Sequence, residues 1–537
     1  MTHPDRTLDK LFRHLGLLAI FLFGFISVLG SGGGGGDSTT PPPGDTTPPI
    51  TIANPAGGLF NAIQQVTLTS NEVATIYYST DGNDPSVGGA NTTSGNSPIA
   101  NISIPAGTTV LKFFAKDQAH NSEIVKTETY IIDVVAPTVT FPGGTPSPIG
   151  LLSQSTVSWQ SDEDGDYVIE LGGNGLPGSG TQIAAGTVQA NNPVNQVVYG
   201  RQLSFLTAID IWVYVTDAAG NDGANSQSVS LKAFTLVPTV TPDRLLINHA
   251  GTRLYALENT VKVIDIEAGS GDYNSVVSTI TVGNDPKEMA ITPDDARLYV
   301  TNSQSDSISV IATSSNTVTD TLTPSMSVPH GIAITPDGTR AYFTDYDGFV
   351  RVLNVDPGSG ALYHTVIDNI IMNPLFLAGE IAITPDGSVA IVNWQGIIAT
   401  GVDVIDTTFN IPIATPVPVI SGSGNEVITS SDSQYAYVIV YGGTNALKKI
   451  DLSDYSIPNE YTYAIGMSLT PDDLVLLAGT STNDINIINS TDLSVLGSVP
   501  VGGVIYRSVI TPDGNNAYVN RYNSNTSTYE LLMLPLH

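Results

Sequence analysis

One short phrase recurs through the C-terminal half of this chain. It reads ITPDDARLYVTN at 291–302, ITPDGTRAYFTD at 334–345, ITPDGSVAIVNW at 383–394, LTPDDLVLLAGT at 469–480 and ITPDGNNAYVNR at 510–521. Two degenerate copies, NHAG from Asn248 and SSDS from Ser430, fit the same frame. Aligned on Asn248, Thr292, Thr335, Thr384, Ser430, Thr470 and Thr511, the intervals are 44, 43, 49, 46, 40 and 41 residues. A unit this short cannot bury its own apolar face and must stack on its neighbours. Each copy has an apolar stretch before the phrase, such as EMAI at 288–291, and a second one after it, such as RLYV at 297–300. A third follows a polar loop, as in VKVID at 261–265 or SISVI at 307–311, and often a fourth, as in SVVSTITV at 275–282. Four strands per repeat of about 40–45 residues make a propeller blade. The expected fold is therefore all-β, with a seven-bladed β-propeller over about 231–537. The last copy ends at His537 without a fourth strand, so the apolar segment LKAFTLVPTV (231–240) is expected to supply it and close the ring.

The phrase itself reads as a turn. Pro presets the first central position, Asp accepts local backbone hydrogen bonds, and Gly tolerates positive φ. Its copies, Asp294, Asp337, Asp386, Asp472 and Asp513, are spread around a ring and do not converge on one ligand. The positions four residues upstream of each aligned residue are more informative: Arg244, Glu288, Gly331, Glu380, Glu426, Gly466 and Arg507. Asp243, Lys287, His330, Gly379, Asn425, Ile465 and Tyr506 stand just before them. If first strands line a central channel, Arg244, Glu288, His330, Glu380, Glu426 and Arg507 ring its mouth. Two roles stay open for them: convergence on a ligand, or Arg–Glu pairing that holds blades in register.

The N-terminal part is organised differently. Arg6, Lys10 and Arg13 precede the apolar run GLLAIFLFGFISVL (16–29), followed by small residues, so residues 1–30 read as a signal peptide. The run is shorter than the roughly 20 residues that span a bilayer, so no transmembrane domain is expected after cleavage. The stretch VLGSGGGGGDS resembles a bacterial lipoprotein signal without its Cys. Residues 31–48 are a Gly/Pro/Thr-rich linker. Two Ig-like sandwiches are expected at 49–134 and 135–230, from alternating segments such as QQVTLTS (64–70), TVLKFFAKD (109–117) and AIDIWVYVTDAAGNDG (208–223). Trp159 and Trp212 are expected in the core of the second sandwich. The stretch DEDGD (162–166) spaces Asp162, Asp164 and Asp166 alternately, like half of a Ca²⁺ loop. It reads first as a hairpin turn, with Ca²⁺ binding the weaker alternative.

Three resemblances add to this. PAGGLF (55–60), IYYSTDGNDP (76–85), SPI (97–99) and LKFFAKDQAHNSEIVKTETYIID (111–133) resemble the C-terminal Ig-like domain of chitobiases and hexosaminidases, an accessory module. Tyr299, Val300, Thr301 and Asn302 spell the signature of the YVTN-type propellers, which VPHGIAITPDGTRAYF (328–343) also resembles. Seven-bladed lactonases are similar in architecture. That likeness implies charged residues acting at the channel mouth, here Arg244, Glu288, His330, Glu380, Glu426 and Arg507.

Composition narrows the functional classes. There are 19 Lys+Arg against 50 Asp+Glu, a net charge of −31, which repels phosphates and argues against a nucleic-acid partner. There is no Cys, which excludes disulfides, thiolate zinc sites and Cys-bound clusters. No nucleophile elbow or His-x-x-x-His spacing occurs in the required setting. The leading expectation is an exported, non-enzymatic protein, secreted, periplasmic or on the cell surface. Its propeller would bind a protein or carbohydrate at the cell envelope without a cofactor. The alternatives are a lactonase-type propeller hydrolase and a Ca²⁺-dependent adhesin.

Overall fold

A computed structural model describes residues 44–537 except 204–207, 239, 373–375, 397–399, 414–422, 442–444 and 524–525. The expected signal peptide and most of the linker lie outside the described residues. The chain divides into two units, the first ending at Asp133 and the second running Val134–His537.

The first unit is a sandwich of a three-stranded and a five-stranded sheet. Its longest strand, Gly107–Asp117, alternates as a half-buried strand must, with Thr109, Leu111, Phe113 and Ala115 turned inward. These side chains meet Val66, Leu68, Ile102 and Ile104 from the facing sheet. The strand ends in a turn fixed by Asp117, whose two carboxylate oxygens accept from the Asn121 backbone N–H and side-chain amide, both at 2.8 Å. The second unit repeats the device, with Asn221 donating to Asp217 at 2.9 and 2.8 Å.

The second unit opens with another sandwich, a sheet of 139–140, 154–161 and 194–199 against one of 165–171, 181–188, 209–216 and 222–229. Trp159 is fully buried in its core, as expected. Trp212 is not a core residue. In the strand Ile209–Thr216, Ile211, Val213 and Val215 point inward, so Trp212 lies on the outer face, stacked on Tyr214 and against Gly175. The acidic stretch 162–166 is not a hairpin turn either. The strands on either side of it belong to different sheets, so it crosses between the two layers.

Seven four-stranded sheets follow, one per repeat. The first strands are Arg244–Ile247, Pro286–Ile291, Ile332–Ile334, Phe376–Ile383, Ser423–Thr429, Ala464–Leu469 and Val504–Ile510. Each touches the next, and the seventh touches the first. The seventh blade takes its outer strand from Thr235–Val237, which pairs antiparallel with Leu531–Met533, as the sequence requires. The repeated phrase is the turn between first and second strands. In every copy the fourth residue donates its N–H back to the first carbonyl, for example Gly338 to Thr335 at 2.8 Å. The Thr or Ser hydroxyl donates to the Asp carboxylate, as at Thr292–Asp294 and Thr470–Asp472, both 2.6 Å. The fourth residue has positive φ even where it is not Gly, as at Asp295 (57°) and Asp473 (58°). Asp and Asn tolerate that region better than other side chains.

In blades two, three, five and seven the second strand carries a buried tyrosine whose hydroxyl reaches the following blade. Tyr299 meets His364 Nε2 at 3.0 Å, Tyr342 donates to Asn410 at 2.5 Å, Tyr437 to the Ser490 carbonyl at 3.2 Å and Tyr518 to Asn274 at 2.6 Å. Blades six and seven also share one apolar core with the second sandwich, where Trp159, Val198 and Ile211 join Leu477, Val499, Val519 and Leu534. Backbone hydrogen bonds from Leu151 and Leu152 to the carbonyls of Pro535 and Leu536, at 3.0 and 2.8 Å, fasten the chain's end to that sandwich. This sandwich is thus part of the propeller body and not a separate stalk. A chain begun at residue 241 should therefore melt far below one begun at residue 134 and should aggregate through the open edge of 528–535. Thermal denaturation with light scattering checks this; equal melting would mean that strand 235–237 does not hold the ring closed.

Candidate functional site in the propeller channel

The first strands do not run regularly into the channel. Their pairing slips by a residue at Pro286/Glu288, Ala378/Ile381, Gly424/Glu426, Ala464/Gly466 and Ile505/Arg507. A bulge re-aims the side chains around it, and except in blade four, where the gap includes Glu380, these bulges fall just before the positions singled out four residues before the turn. Gly331 and Gly466 occupy that place in blades three and six. A Cβ there would stand 2.5 Å from the Gly379 carbonyl oxygen and 2.4 Å from that of Tyr506, so no side chain fits between the strands.

The five charged residues form one network. Arg244 Nε donates to Glu288 at 2.8 Å and its Nη2 lies 3.0 Å from Glu380 Oε1. Arg507 Nη2 donates to the same oxygen at 2.9 Å, and its Nη1 is 3.5 Å from Glu426. Glu380 is the hub, bridging blades one and seven from across the ring. The carboxylates are held in turn by backbone: Met289 N–H donates to Glu288 at 3.0 Å and Met467 N–H to Glu426 at 2.8 Å. Asn393 accepts the Glu380 N–H at 2.8 Å and fixes that bulge.

These residues are not at an open mouth. The side chains of Arg507, Glu426 and Glu380 are only 8%, 11% and 12% exposed. Cavities lie on both sides of the network. One of about 480 Å³ runs past the first strands toward the turns and is lined by Arg244, Glu288, Glu380, Glu426, Met467 and Arg507, among others. The other, of about 370 Å³, holds Asp243, Tyr506 and Tyr529. Arg244 and Arg507 line both, so the ion pairs form a partition across the channel. Of the two roles the sequence left open, the Arg–Glu pairs are present, and they border space on either side.

Two guanidiniums face three carboxylates, and the imbalance shows in proton affinity. Burial, only partly offset by Arg507 and reinforced by Glu380, pushes Glu426 up to about 7. Burial likewise raises Glu288, against the pull of Arg244. Burial works against the Arg244 cation, but Glu380 and Glu288 outweigh it and hold that guanidinium firmly charged. His330 stands apart from the network. Its ring packs parallel to Tyr346, its Nδ1 is buried without a hydrogen-bond partner among the described residues, and burial with Arg244 nearby pushes it down to about 4.

The acidic candidates behave otherwise. Asp162 accepts the Thr138 N–H at 2.6 Å and Asp164 the Ala190 N–H at 2.7 Å, while Asp166 lies within the strand 165–171. Among the described residues these three do not gather into a metal-binding group. Asp45, Glu72 and Asp117 of the first unit do approach within 4.8 Å of one another, a grouping too dispersed in sequence to be read there. Asn520, Tyr529 and Met467 also went unread, because no repeat-wide pattern marks them.

Comparison with known proteins places two regions. Residues 55–127 match the family described as Chitobiase/beta-hexosaminidase C-terminal domain. Residues 212–378, which include blades one to three, match the family described as Lactonase, 7-bladed beta-propeller. No curated protein matches the chain. Among solved structures it is similar to Kuenenia stuttgartiensis hydrazine synthase, at 19% identity over 54% of this chain and 95% of that one, with a TM-score of 0.46. It is also similar to the β-propeller domain of Myceliophteria thermophila Cps50 (Swd1), at 8% identity over 57% of this chain and 100% of that one, with a TM-score of 0.47. The lactonase match overturns the expectation of a non-enzymatic protein. That expectation rested on the lack of a linear catalytic motif, whereas this network is assembled from five blades and has no linear form.

Removing the hub leaves Arg244 with Glu288 and Arg507 with Glu426 but orphans buried N–H groups on both guanidiniums, so Glu380→Ala should cost about 1–3 kcal/mol, read by urea denaturation. The titrating groups give opposite pH slopes. Folded Glu426 keeps its proton up to about pH 7, whereas an unfolded Glu releases it near 4.5, so stability falls as pH rises through that window. Folded His330 resists protonation down to about pH 4, against 6.5 unfolded, so stability falls as pH drops through that window. Glu426→Gln should flatten the first slope and His330→Gln the second, measured by denaturation midpoints across pH 4–8.

Proposed function

We propose that the propeller is a hydrolase that opens a cyclic ester, with Glu426 moving the proton and Arg507 and Arg244 stabilising the developing oxyanion. One observation carries this reading: a carboxyl group held near neutrality beside two guanidiniums that border a cavity of about 480 Å³. A general base works best when its pKa lies near the working pH. Guanidiniums already fixed by carboxylates need no reorganisation as charge develops. The match of residues 212–378 to the lactonase family supports the choice of ester class, and the YVTN-type likeness is compatible with it.

In the proposed step, Glu426 takes a proton from water as the water oxygen bonds to the ester carbonyl carbon. The carbonyl electrons move onto oxygen, facing the guanidiniums. When they return, the ring C–O bond breaks and the proton passes to the departing oxygen, leaving an open hydroxy acid. A panel of five- and six-membered lactones, followed by acid release in a pH-stat, tests this. Activity should rise with pH around a midpoint near 7, as Glu426 loses its proton. Glu426→Gln should lower kcat by about 10²–10⁴. Absence of turnover across the panel, or full activity in Glu426→Gln, would refute the assignment.

A further inference from the structure

We propose that the smaller cavity, on the far side of the ion-pair partition from the turns, is a binding subsite for a neutral saccharide ring. This does not depend on any hydrolysis in the channel.

The cavity has about 370 Å³, within the range of small-ligand sites, and Arg244 and Arg507 form its floor. Two tyrosines stand in it. Tyr506 and Tyr529 are 37% and 43% exposed, their ring centroids 5.8 Å apart and tilted by 57°. Tyr522 braces Tyr529 from behind, at 5.1 Å. An aromatic cluster left in the open at a concavity offers large apolar faces with polar tips, as interfaces use them.

The polar groups around these rings are rich in acceptors. Asp243 brings a carboxylate, which only accepts, and Asn445 a carboxamide, which accepts and donates. Asn520 is 3% exposed and donates its amide to the Pro242 carbonyl, which leaves its Oδ1 buried with no partner among the described residues. A buried acceptor without a partner is costly. The equivalent residue of blade four, Asn393, is turned the other way: its Oδ1 accepts the Glu380 N–H, so the open acceptor is not a feature of the repeat. Blade seven differs because its Asn lines an open cavity flanked by tyrosines.

Together these groups describe the ligand. It must present flat C–H faces to the tyrosines and several O–H donors at its edge, which a sugar ring does and a plain aromatic ring does not. It should also be uncharged. The guanidiniums of the floor are already matched by three carboxylates, Asp243 adds negative charge, and the protein carries −31 overall, so an anion gains nothing here.

Isothermal titration of the full chain with cellotetraose, chitotetraose and maltotetraose, against glucose 6-phosphate, tests the proposal. Saturable binding of at least one neutral oligosaccharide is expected. Its Kd should rise tenfold or more in Tyr506→Ala and in Tyr529→Ala. It should stay within threefold in Tyr529→Phe, which keeps the stacking face, and in Phe409→Ala, outside this cavity. Melting temperatures of the variants establish that each is folded. No binding by any neutral probe, binding unaffected by both tyrosine truncations, or tighter binding of the phosphorylated sugar would each overturn it.

Discussion

The propeller depends on one pairing, that of Thr235–Val237 with the strand before the chain's end. A stack of blades buries apolar faces only between neighbours, so a ring of seven has no unpaired face once the last blade meets the first. Residues far apart in sequence must then meet before the last interface forms. The second sandwich takes part in this closure. It lies just before the closing strand, shares a core with blades six and seven, and binds the carbonyls of Pro535 and Leu536. The tyrosine hydroxyls that cross from blade to blade, including Tyr518 to Asn274 at the seam, spread the same constraint around the ring.

Within that ring the channel is a place where charge is costly to bury and costly to leave unpaired. The network resolves this by sharing. Glu380 accepts from both guanidiniums through one oxygen, and Glu288 and Glu426 each take one side. One carboxylate too many remains, so the partition holds a proton near neutral pH. Stability and proposed chemistry thus draw on the same surplus. Evening out the charges would make the channel quieter and would remove its means of moving a proton.

The turn was legible because Thr-Pro-Asp-Gly has a local physical meaning, and counting it gave seven blades. The five charged positions were legible as well, since a fixed offset from the turn marks the same place in each blade. Their depth was not, because the bulges that swing Glu288, Glu426 and Arg507 inward depend on strand pairing, which no single repeat displays. Trp212 misled because alternation tells which residues share a face but not which face is covered. The acidic stretch at 162–166 misled for a related reason, since a short polar loop looks alike whether it joins neighbouring strands or crosses between sheets. The expectation of a protein without catalysis rested on the lack of a contiguous motif, and the match of residues 212–378 to the lactonase family overturns it.

The bulges have a consequence for how such a channel changes over time. Each blade delivers one residue to the partition from an offset that its turn fixes, and the turn is independent of what that residue is. The ring therefore behaves like a lock with seven tumblers, five cut and two, at Gly331 and Gly466, left flush by the closeness of the neighbouring strands. Point substitutions at the cut positions can rekey the channel while the blades keep their shape. Filling a flush position would instead require two blades to part.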